Sequence, residues 1–364
     1  MEFDFNTVTG PTADFDAANI DGITDQIAVC AMYNSAAGGG AIVRTIDGGQ
    51  SWTNVSGSNF AGADGFPNFV HMFNATTGVS FGDPNGGGFE MVTTSNGGLT
   101  WTRVPQANVP APVNNEYGLV RSYFALPGTG TIWASTNNTT TRTLPDGPAR
   151  MLKSTDFGRT WTIANTPLIG SISRIAFKDA LNGIAFNRRL APGAPTTPPT
   201  PGTINVIRTS DGGLTWQLIT PVSSPSGQFY ASDIDAVSAV GSTPGFYVSS
   251  GGSRVPNATG PTPNSAIGSS TSGDGITWKD IDNGVLVNAT SRRVYLCMDV
   301  LSATAGYAGG FNDEMTGEGG LYMLNAATPL PTRAATEYVS LHAYPNPSTG
   351  LFQVRLEEGV KAVT

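Results

Sequence analysis

The sequence predicts an all-β protein, a six-bladed β-propeller, and three observations lead to this prediction. The first is composition: 46 of the 364 residues are Gly, 25 are Pro, and only 13% are charged. Such a mixture is typical of short strands joined by many turns rather than of helices. The second is one short motif that returns five times. The third is a pair of strand-like segments upstream of each copy.

Charge and hydropathy exclude several classes of partner. The net charge is −8 and the 19 Lys and Arg residues are thinly spread, so we expect no nucleic-acid partner. No apolar run reaches the length of a membrane-spanning helix. The start, "MEFDFNTVTG", lacks the apolar segment of a signal peptide. With two His and two Cys at no ligand-like spacing, we expect no metal site, no cofactor and a monomer.

The repeated motif is predicted to form a hairpin turn, because an apolar run precedes each copy and a second strand follows it. Its Asp or Asn is expected to accept turn N–H groups, at Asp47, Asn96, Asp156 and Asp211. Its Gly supplies positive φ, and its Trp packs against the neighbouring unit. Five copies end in Trp52, Trp101, Trp161, Trp216 and Trp278: "TIDGGQSW", "TSNGGLTW", "STDFGRTW", "TSDGGLTW" and "TSGDGITW".

The pattern Ser/Thr-x-Asp-x-Gly-x-Thr-Trp resembles the Asp-box, also called the BNR repeat, of sialidase-like β-propellers. The resemblance extends over most of residues 1–330. It implies that the boxes lie on the outer edge of the propeller, away from any ligand site. The box aspartates are therefore expected to be structural and not general acids.

Each box and its upstream strand pair make one four-stranded blade, as in Ile172–Phe186 before the fourth box. A sixth unit ends at Gly319–Leu324 without a Trp strand of its own. "FNTVTG" at Phe5–Gly10 mirrors "WTNVSG" at Trp52–Gly57. We therefore expect an N-terminal strand to close the last blade, which would remove exposed edges. The propeller is predicted to occupy residues 1–330.

The two cysteines, Cys30 and Cys297, lie far apart in sequence. Free buried thiols are the expectation. Because ring closure would bring the first and last blades together, a disulfide between them stays open as an alternative.

The tail is predicted to differ from the blades: a linker at 331–340 precedes a separate segment at 341–364. Its "AYPNPSTGLFQVRL", Ala343–Leu356, carries two Pro residues that prevent regular pairing before an alternating strand. It resembles the start of the C-terminal sorting domain of type IX secretion (Por). The resemblance implies a partner in the secretion machinery and a secreted or outer-surface location on a Gram-negative bacterium. The alternative is an ordinary Pro-containing turn. We expect the sequence to be truncated at both ends.

A ligand is expected on the face opposite the repeated turns, where three long loops fall: Asn137–Arg150, Arg189–Thr203 and Gly251–Ser265. An alignment of blades three and four places Arg121 and Arg174 at matching positions. An anionic ligand such as a carboxylated sugar would suit Arg residues there; the alternative is that they satisfy local carbonyls and acids. His71 is expected to be a packed or channel-lining residue rather than a ligand. The candidates are Arg121, Arg174, Arg292, Tyr230, Glu116 and Tyr117.

Two functions remain open. The first is a non-catalytic binding or adhesion scaffold for an extracellular protein or glycan. This hypothesis draws on a further resemblance to Asp-box propellers that assist photosystem assembly and to sortilin-type receptors. The second is a secreted glycoside hydrolase, sialidase-like or otherwise. The Phe/Tyr-Arg-Ile-Pro motif that carries the first substrate-binding Arg of sialidases is missing.

Overall fold

The computed structural model describes most of the chain. The described residues are 8–9, 15–34, 36–113, 116–138, 147–188, 204–223, 228–240, 242–252, 267–281, 293–312, 319–325, 342–344 and 353–355. The chain divides into two compact units, Met1–Ile175 with Thr209–Gln217 and Ala176–Arg208 with Leu218–Thr364. No helix among the described residues is long and apolar enough to cross a membrane.

The fold is a six-bladed β-propeller, which confirms the predicted fold class. Blade one holds β1 (Val8–Thr9), β2 (Phe15–Gly22), β3 (Ala28–Asn34), β4 (Gly40–Thr45) and β5 (Trp52–Asn54). Blade two holds β6 (Pro67–Met72), β7 (Gly78–Pro84), β8 (Phe89–Thr94) and β9 (Thr102–Arg103). After a short 3-10 helix at Gln106–Asn108, blade three holds β10 (Tyr117–Ala125), β11 (Ile132–Asn137), β12 (Pro148–Ser154) and β13 (Thr162–Ile169).

The remaining strands follow the same order. Blade four holds β14 (Arg174–Phe177), β15 (Gly183–Arg188), β16 (Ile204–Thr209) and β17 (Gln217–Ile219). Blade five holds β18 (Val222–Ser223), β19 (Asp233–Val237), β20 (Phe246–Gly252), β21 (Ile267–Ser272) and β22 (Thr277–Asp280). Blade six holds β23 (Arg293–Val300), β24 (Ala305–Asn312) and β25 (Gly319–Asn325). A separate pair, β26 (His342–Tyr344) and β27 (Gln353–Arg355), follows.

In blades one to five, the repeated motif forms the turn between the third and fourth strands of the antiparallel meander, as predicted. This turn lies at the same end of the sheet as the turn between the first two strands. Gly48 N, for example, donates to Gln26 O over 3.0 Å, and Gly97 N donates to Thr76 O over 2.8 Å. The repeat therefore marks one end of each of these blades.

The expected closure by the N-terminal strand is wrong for the part of Phe5–Gly10 that the structure describes. Val8 and Thr9 pair in parallel with Trp52 and Thr53, on the outer edge of blade one. In blade five, β18 pairs in parallel with β22 in the same way. An extended segment that enters a blade from outside meets the open edge of its outermost strand first, and that edge offers unpaired backbone groups. Phe5–Thr7 lie outside the described residues.

The core lies between neighbouring sheets. Phe69, Phe81 and Phe89 of blade two pack with Ile132 and Leu152 of blade three, and all five are fully buried. Close packing of large apolar side chains between sheets leaves little room for added atoms.

In blades two to five, the glycine three residues before the repeat tryptophan lies against the preceding blade. Each of these glycines has positive φ and faces the second residue of the second strand of the preceding blade. A Cβ added to it would lie 3.1 Å or less from that residue's side chain. The repeat therefore needs glycine for close approach as well as for the turn. The four described pairs are Gly98 with Val29, Gly158 with Val79, Gly213 with Trp133, and Gly275 with Ile184.

The tail contains one further pair of strands. β26 and β27 pair antiparallel, with His342 opposite Arg355, and the domain limits at 330, 331–340 and 341 remain predictions.

Both cysteines are free, so the alternative of a disulfide is not realised. Cys30 is buried, which raises its pKa to about 12, whereas Cys297 is exposed instead of buried.

Candidate functional site

The repeated turns use their acidic groups internally. In the first turn, Asp47 Oδ1 accepts the Thr45 hydroxyl over 2.8 Å and Ser51 N over 2.9 Å, while Oδ2 accepts the Ser51 hydroxyl over 2.6 Å. Hydrogen bonds from Ser51, with a smaller one from Thr45, lower the pKa of Asp47 to about 2. A carboxyl that stays ionised at such a pH is unsuited to act as a general acid.

The other four turns repeat this arrangement. Asp156, Asp211 and Asp274 each accept backbone N–H groups of their own turn, and Asn96 accepts Thr100 N over 3.1 Å. The five tryptophans that end the repeats, Trp52, Trp101, Trp161, Trp216 and Trp278, are all buried. These contacts agree with a structural role for the repeat.

Glu116, expected as a ligand contact, lies in the interior. Its carboxylate accepts Arg150 Nε over 2.8 Å and Val113 N over 3.1 Å, and it also accepts Arg150 Nη2 and the Thr136 hydroxyl. The side chain is fully buried. Glu116 therefore neutralises a buried arginine, and its expected contact with ligand is wrong.

Tyr230 is also enclosed. A Cβ added to Gly268 would lie 2.7 Å from its hydroxyl oxygen, and this hydroxyl bonds to Asp280, whose pKa burial raises. Tyr230 is only 7% exposed, so a direct ligand contact is wrong for it as well. Tyr117 is half-buried at the start of β10. Arg292 lies outside the described residues, as do most residues of the three long loops.

Arg121 and Arg174 do not occupy equivalent positions. Arg174 begins β14 and donates from Nη1 to Ser173 O over 2.8 Å. Arg121 lies inside β10 at a bulge between Gly118 and Tyr123. Gly118 pairs with Thr136 and Tyr123 pairs with Ala134, so β10 holds three extra residues at this point. These residues shift the register, which is why the expected equivalence of Arg121 and Arg174 is wrong.

Arg121 has a backbone conformation that is uncommon for a residue with a side chain, with φ of 59°. Its Nε donates to Ala18 O of β2 over 3.0 Å, and the side chain is exposed. Its Nη groups form no hydrogen bond with the described residues. Bulges and positive-φ residues concentrate near functional sites because they re-aim side chains at an energetic cost.

His71 and Asp21 form an ion-pair contact between β6 and β2. His71 Nδ1 lies 3.0 Å from Asp21 Oδ2, and each side chain is 22% exposed. The same oxygen accepts Met72 N over 2.7 Å. Asp21 thus fixes the imidazole, while His71 Nε2 has no hydrogen bond from the described residues. A histidine held in this way presents its other nitrogen to a ligand.

Tyr123 joins the pair from β10. Its ring stacks on Phe69 at 4.1 Å between centroids and lies 5.8 Å from the His71 ring. Its hydroxyl accepts Asn19 Nδ2 over 3.1 Å. We call the group Asn19, Asp21, His71, Arg121 and Tyr123 the first-strand cluster, because its members come from β2, β6 and β10, the first strands of three successive blades.

The cluster combines a guanidinium and an imidazole with one carboxylate and an aromatic ring. These groups are suited to bind an anionic group beside a flat apolar surface. Among the described residues, no group of three or more His, Cys, Asp or Glu is arranged to hold a metal.

The sequence analysis proposed Arg121 as a ligand contact and His71 as a packed or channel-lining residue, and it did not consider Asp21 or Tyr123. The available signal was a polar residue within an otherwise apolar first strand, as with His71 in "NFVHM". Two members of the cluster also lie away from the expected face. Asp21 and His71 are each one residue from the strand end that leads into the first turn, and this end also carries the repeated turns.

Comparisons with known proteins show similarity in fold alone. No protein-family model matches the chain, and no curated protein matches it. Among solved structures, one titled YCF48 bound to D1 peptide is 15% identical, with a TM-score of 0.41; the match covers 86% of this chain and 93% of that one. A GH74 xyloglucanase from Xanthomonas campestris is 14% identical, with a TM-score of 0.49, and the match covers 86% of this chain but only 46% of the enzyme. The Hadza microbial sialidase Hz136 is 16% identical, with a TM-score of 0.43, and the coverages are 82% and 63%.

Proposed function

We propose that the chain is a non-catalytic binding propeller that recognises an anionic group of an extracellular protein or glycan at the first-strand cluster. The observation that carries the proposal is the Arg121 guanidinium, whose Nη groups donate to no described residue, together with the His71 imidazole, whose Nε2 has no hydrogen-bond partner among the described residues. Both lie on exposed or half-exposed side chains. Donors oriented by the fold and left without partners are those that a ligand satisfies at least entropic cost.

Arg121 supplies the directional part of the recognition. Because Nε is engaged by Ala18 O, the guanidinium is held in place while Nη1 and Nη2 remain available. A guanidinium binds carboxylate or phosphate oxygens through parallel hydrogen bonds, which gives geometric selectivity as well as attraction. Tyr123, two residues later in β10 and near the His71 ring, adds an aromatic surface that suits a sugar ring or a peptide side chain.

The carboxylates of the cluster argue against glycoside hydrolysis. Hydrolases of this kind use two carboxyl groups on opposite sides of the scissile bond. The cluster holds one, Asp21, and its Oδ2 is committed to His71 and to Met72 N. Glu116, the other acid expected near a ligand, lies in the interior. One feature favours the second candidate, a hydrolase: an imidazole oriented by a carboxylate suits proton transfer.

The test is a binding titration with defined anionic probes. We would titrate the protein with N-acetylneuraminic acid, an oligogalacturonate and a peptide that ends in acidic residues, using calorimetry. Binding of at least one probe should weaken tenfold or more in Arg121→Gln. The matched control is Arg159→Gln, because Arg159 is exposed on a repeated turn outside the cluster. Equal binding by both variants would refute the assignment of the site.

Export through the type IX pathway forms part of the proposal. Support comes from the β26–β27 pair, which brackets the Tyr-Pro-Asn-Pro run between its strands. Removal of residues 341–364 should retain the protein inside a type IX-competent host, whereas the full chain should reach the medium or cell surface. Equal export of both forms would contradict this part.

A further inference from the structure

Two pairs of neighbouring blades are joined by the same side-chain device. In blades one and two, Val70 N donates to Asn19 Oδ1 over 2.8 Å and Met72 N donates to Asp21 Oδ2 over 2.7 Å. Two side chains of β2, two residues apart, thus accept two backbone N–H groups of β6 that are also two residues apart.

In blades five and six the geometry recurs. Met298 N donates to Asp233 Oδ2 over 2.8 Å, and Val300 N donates to Asp235 Oδ2 over 2.6 Å. The acceptors also bond within their own strand, since Asp235 Oδ1 accepts Ala236 N over 2.8 Å. Each joint lies within one of the two compact units.

The charges of the two joints differ. The first joint has a neutral Asn19, and the residue between its two donors is His71, which contacts Asp21. The second joint has Asp233 in the place of the asparagine and Asp299 in the place of the histidine. The same backbone arrangement therefore carries one carboxylate beside an imidazole in the first joint and three carboxylates in the second.

We propose that the joint between β19 and β23 is a proton-operated latch, which binds a proton and tightens on mild acidification and which loosens as the pH rises. Like charges gathered at a half-buried hydrogen-bonded contact disfavour the fully ionised form. Uptake of one proton by Asp235 reduces this repulsion, while its side-chain oxygen still accepts the backbone N–H of Val300.

The electrostatics of Asp235 agree with this geometry. Burial raises its pKa to about 7, and repulsion from Asp299 and Asp233 adds to the rise, whereas the N–H groups of Val300 and Ala236 act in the opposite direction. The folded pKa exceeds the ordinary value of 3.8. The proton bound by Asp235 therefore contributes its full stabilisation below about pH 4, and this contribution is lost as the pH rises through 7.

The surrounding strands supply no compensating charge among their described side chains. Tyr307 of β24 lies opposite Asp299. Val248 of β20 lies opposite Asp235, and the titratable Tyr247 lies opposite Ala236 and so points to the other face of the sheet. Strands β20, β21 and β24 contain no Lys or Arg. Burial and the two neighbouring acids are therefore the causes that favour proton uptake by Asp235.

The test measures thermal unfolding from about pH 5 to about pH 8 in the wild type, Asp235→Asn and Asp299→Asn. The wild-type Tm should fall as the pH rises, and Asp235→Asn should remove most of this fall. Asp299→Asn, an exposed change, weakens the repulsion on Asp235, so it should make the fall in Tm smaller and raise the Tm at neutral pH. Asp64→Asn, another exposed change, is the control and should follow the wild type.

Hydrogen exchange gives a local measurement that global unfolding does not. The amides of Met298 and Val300, corrected for intrinsic rates, should lose protection as the pH rises in the wild type. In Asp299→Asn this loss should be smaller. Identical pH slopes in the wild type and both joint variants, by Tm and by exchange, would overturn the proposal.

Discussion

Replacement of Gly158 by Ala tests whether the repeat exists to join the blades. Gly158 has φ of 82°, and an added Cβ would lie 2.5 Å from Val79 Cγ2 and 2.9 Å from Val79 Cβ. The left-handed backbone alone costs a residue with a side chain about 1–2 kcal/mol. Overpacking against a buried, β-branched valine adds about 1–3 kcal/mol. The free energy of unfolding should therefore fall by roughly 2–5 kcal/mol.

Gly128 provides the matched control, since its φ is 72° and an added Cβ would meet nothing within 4 Å. Gly128→Ala should cost only the backbone contribution of about 1–2 kcal/mol. Urea unfolding, followed by circular dichroism and by tryptophan fluorescence, measures both variants. The double variant Gly158→Ala with Val79→Ala should cost less than the sum of its parts, because the side chain that clashes is gone. Equal losses for Gly158→Ala and Gly128→Ala would refute the packing role of the repeat.

Three further predictions follow from contacts of the described residues. Glu116→Gln should lower the free energy of unfolding by about 3–5 kcal/mol, because Arg150 would stay buried without its counter-charge; a loss below about 1 kcal/mol in urea unfolding would contradict the buried pair. Trp133→Phe should cost about 1–3 kcal/mol by the same assay, since Trp133 Nε1 donates to Gly212 O over 2.9 Å and that carbonyl would lose its partner. The pKa of Asp47 is lowered from 3.8 to about 2, so its stabilisation is present above pH 4 and is lost as the pH falls towards 2; a Tm that is constant between those values would contradict the turn bonds.

Local chemistry explains what the sequence could predict. The Asp, Gly and Trp of each repeat determine a turn among themselves, so the strands on either side of Asp47 or Asp211 were predictable from a short stretch. The closing strand was not, because the pairing of Val8–Thr9 depends on which sheet edge lies nearest. The choice of edge is a property of the fold and not of the segment.

The site was harder to predict for the same reason. The role of Glu116 depends on Arg150, 34 residues later in the chain. The orientation of His71 depends on Asp21, which another blade supplies. Arg121 was identified from its residue type, but the bulge that sets its direction follows from pairing with β11. Long-range contacts therefore decide which polar residues are structural and which face a ligand.

The central claim is that the first-strand cluster binds without cleaving. The most direct measurement incubates the protein with polysaccharides and sialosides, and it records bound ligand and released sugar in the same samples. We expect the wild type to bind a ligand and the Arg121→Gln variant to bind it more weakly. Neither should release sugar at high protein concentration over a range of pH. Released sugar that disappears in Asp21→Asn would contradict this expectation, and would show that the His71–Asp21 pair transfers protons in a hydrolase.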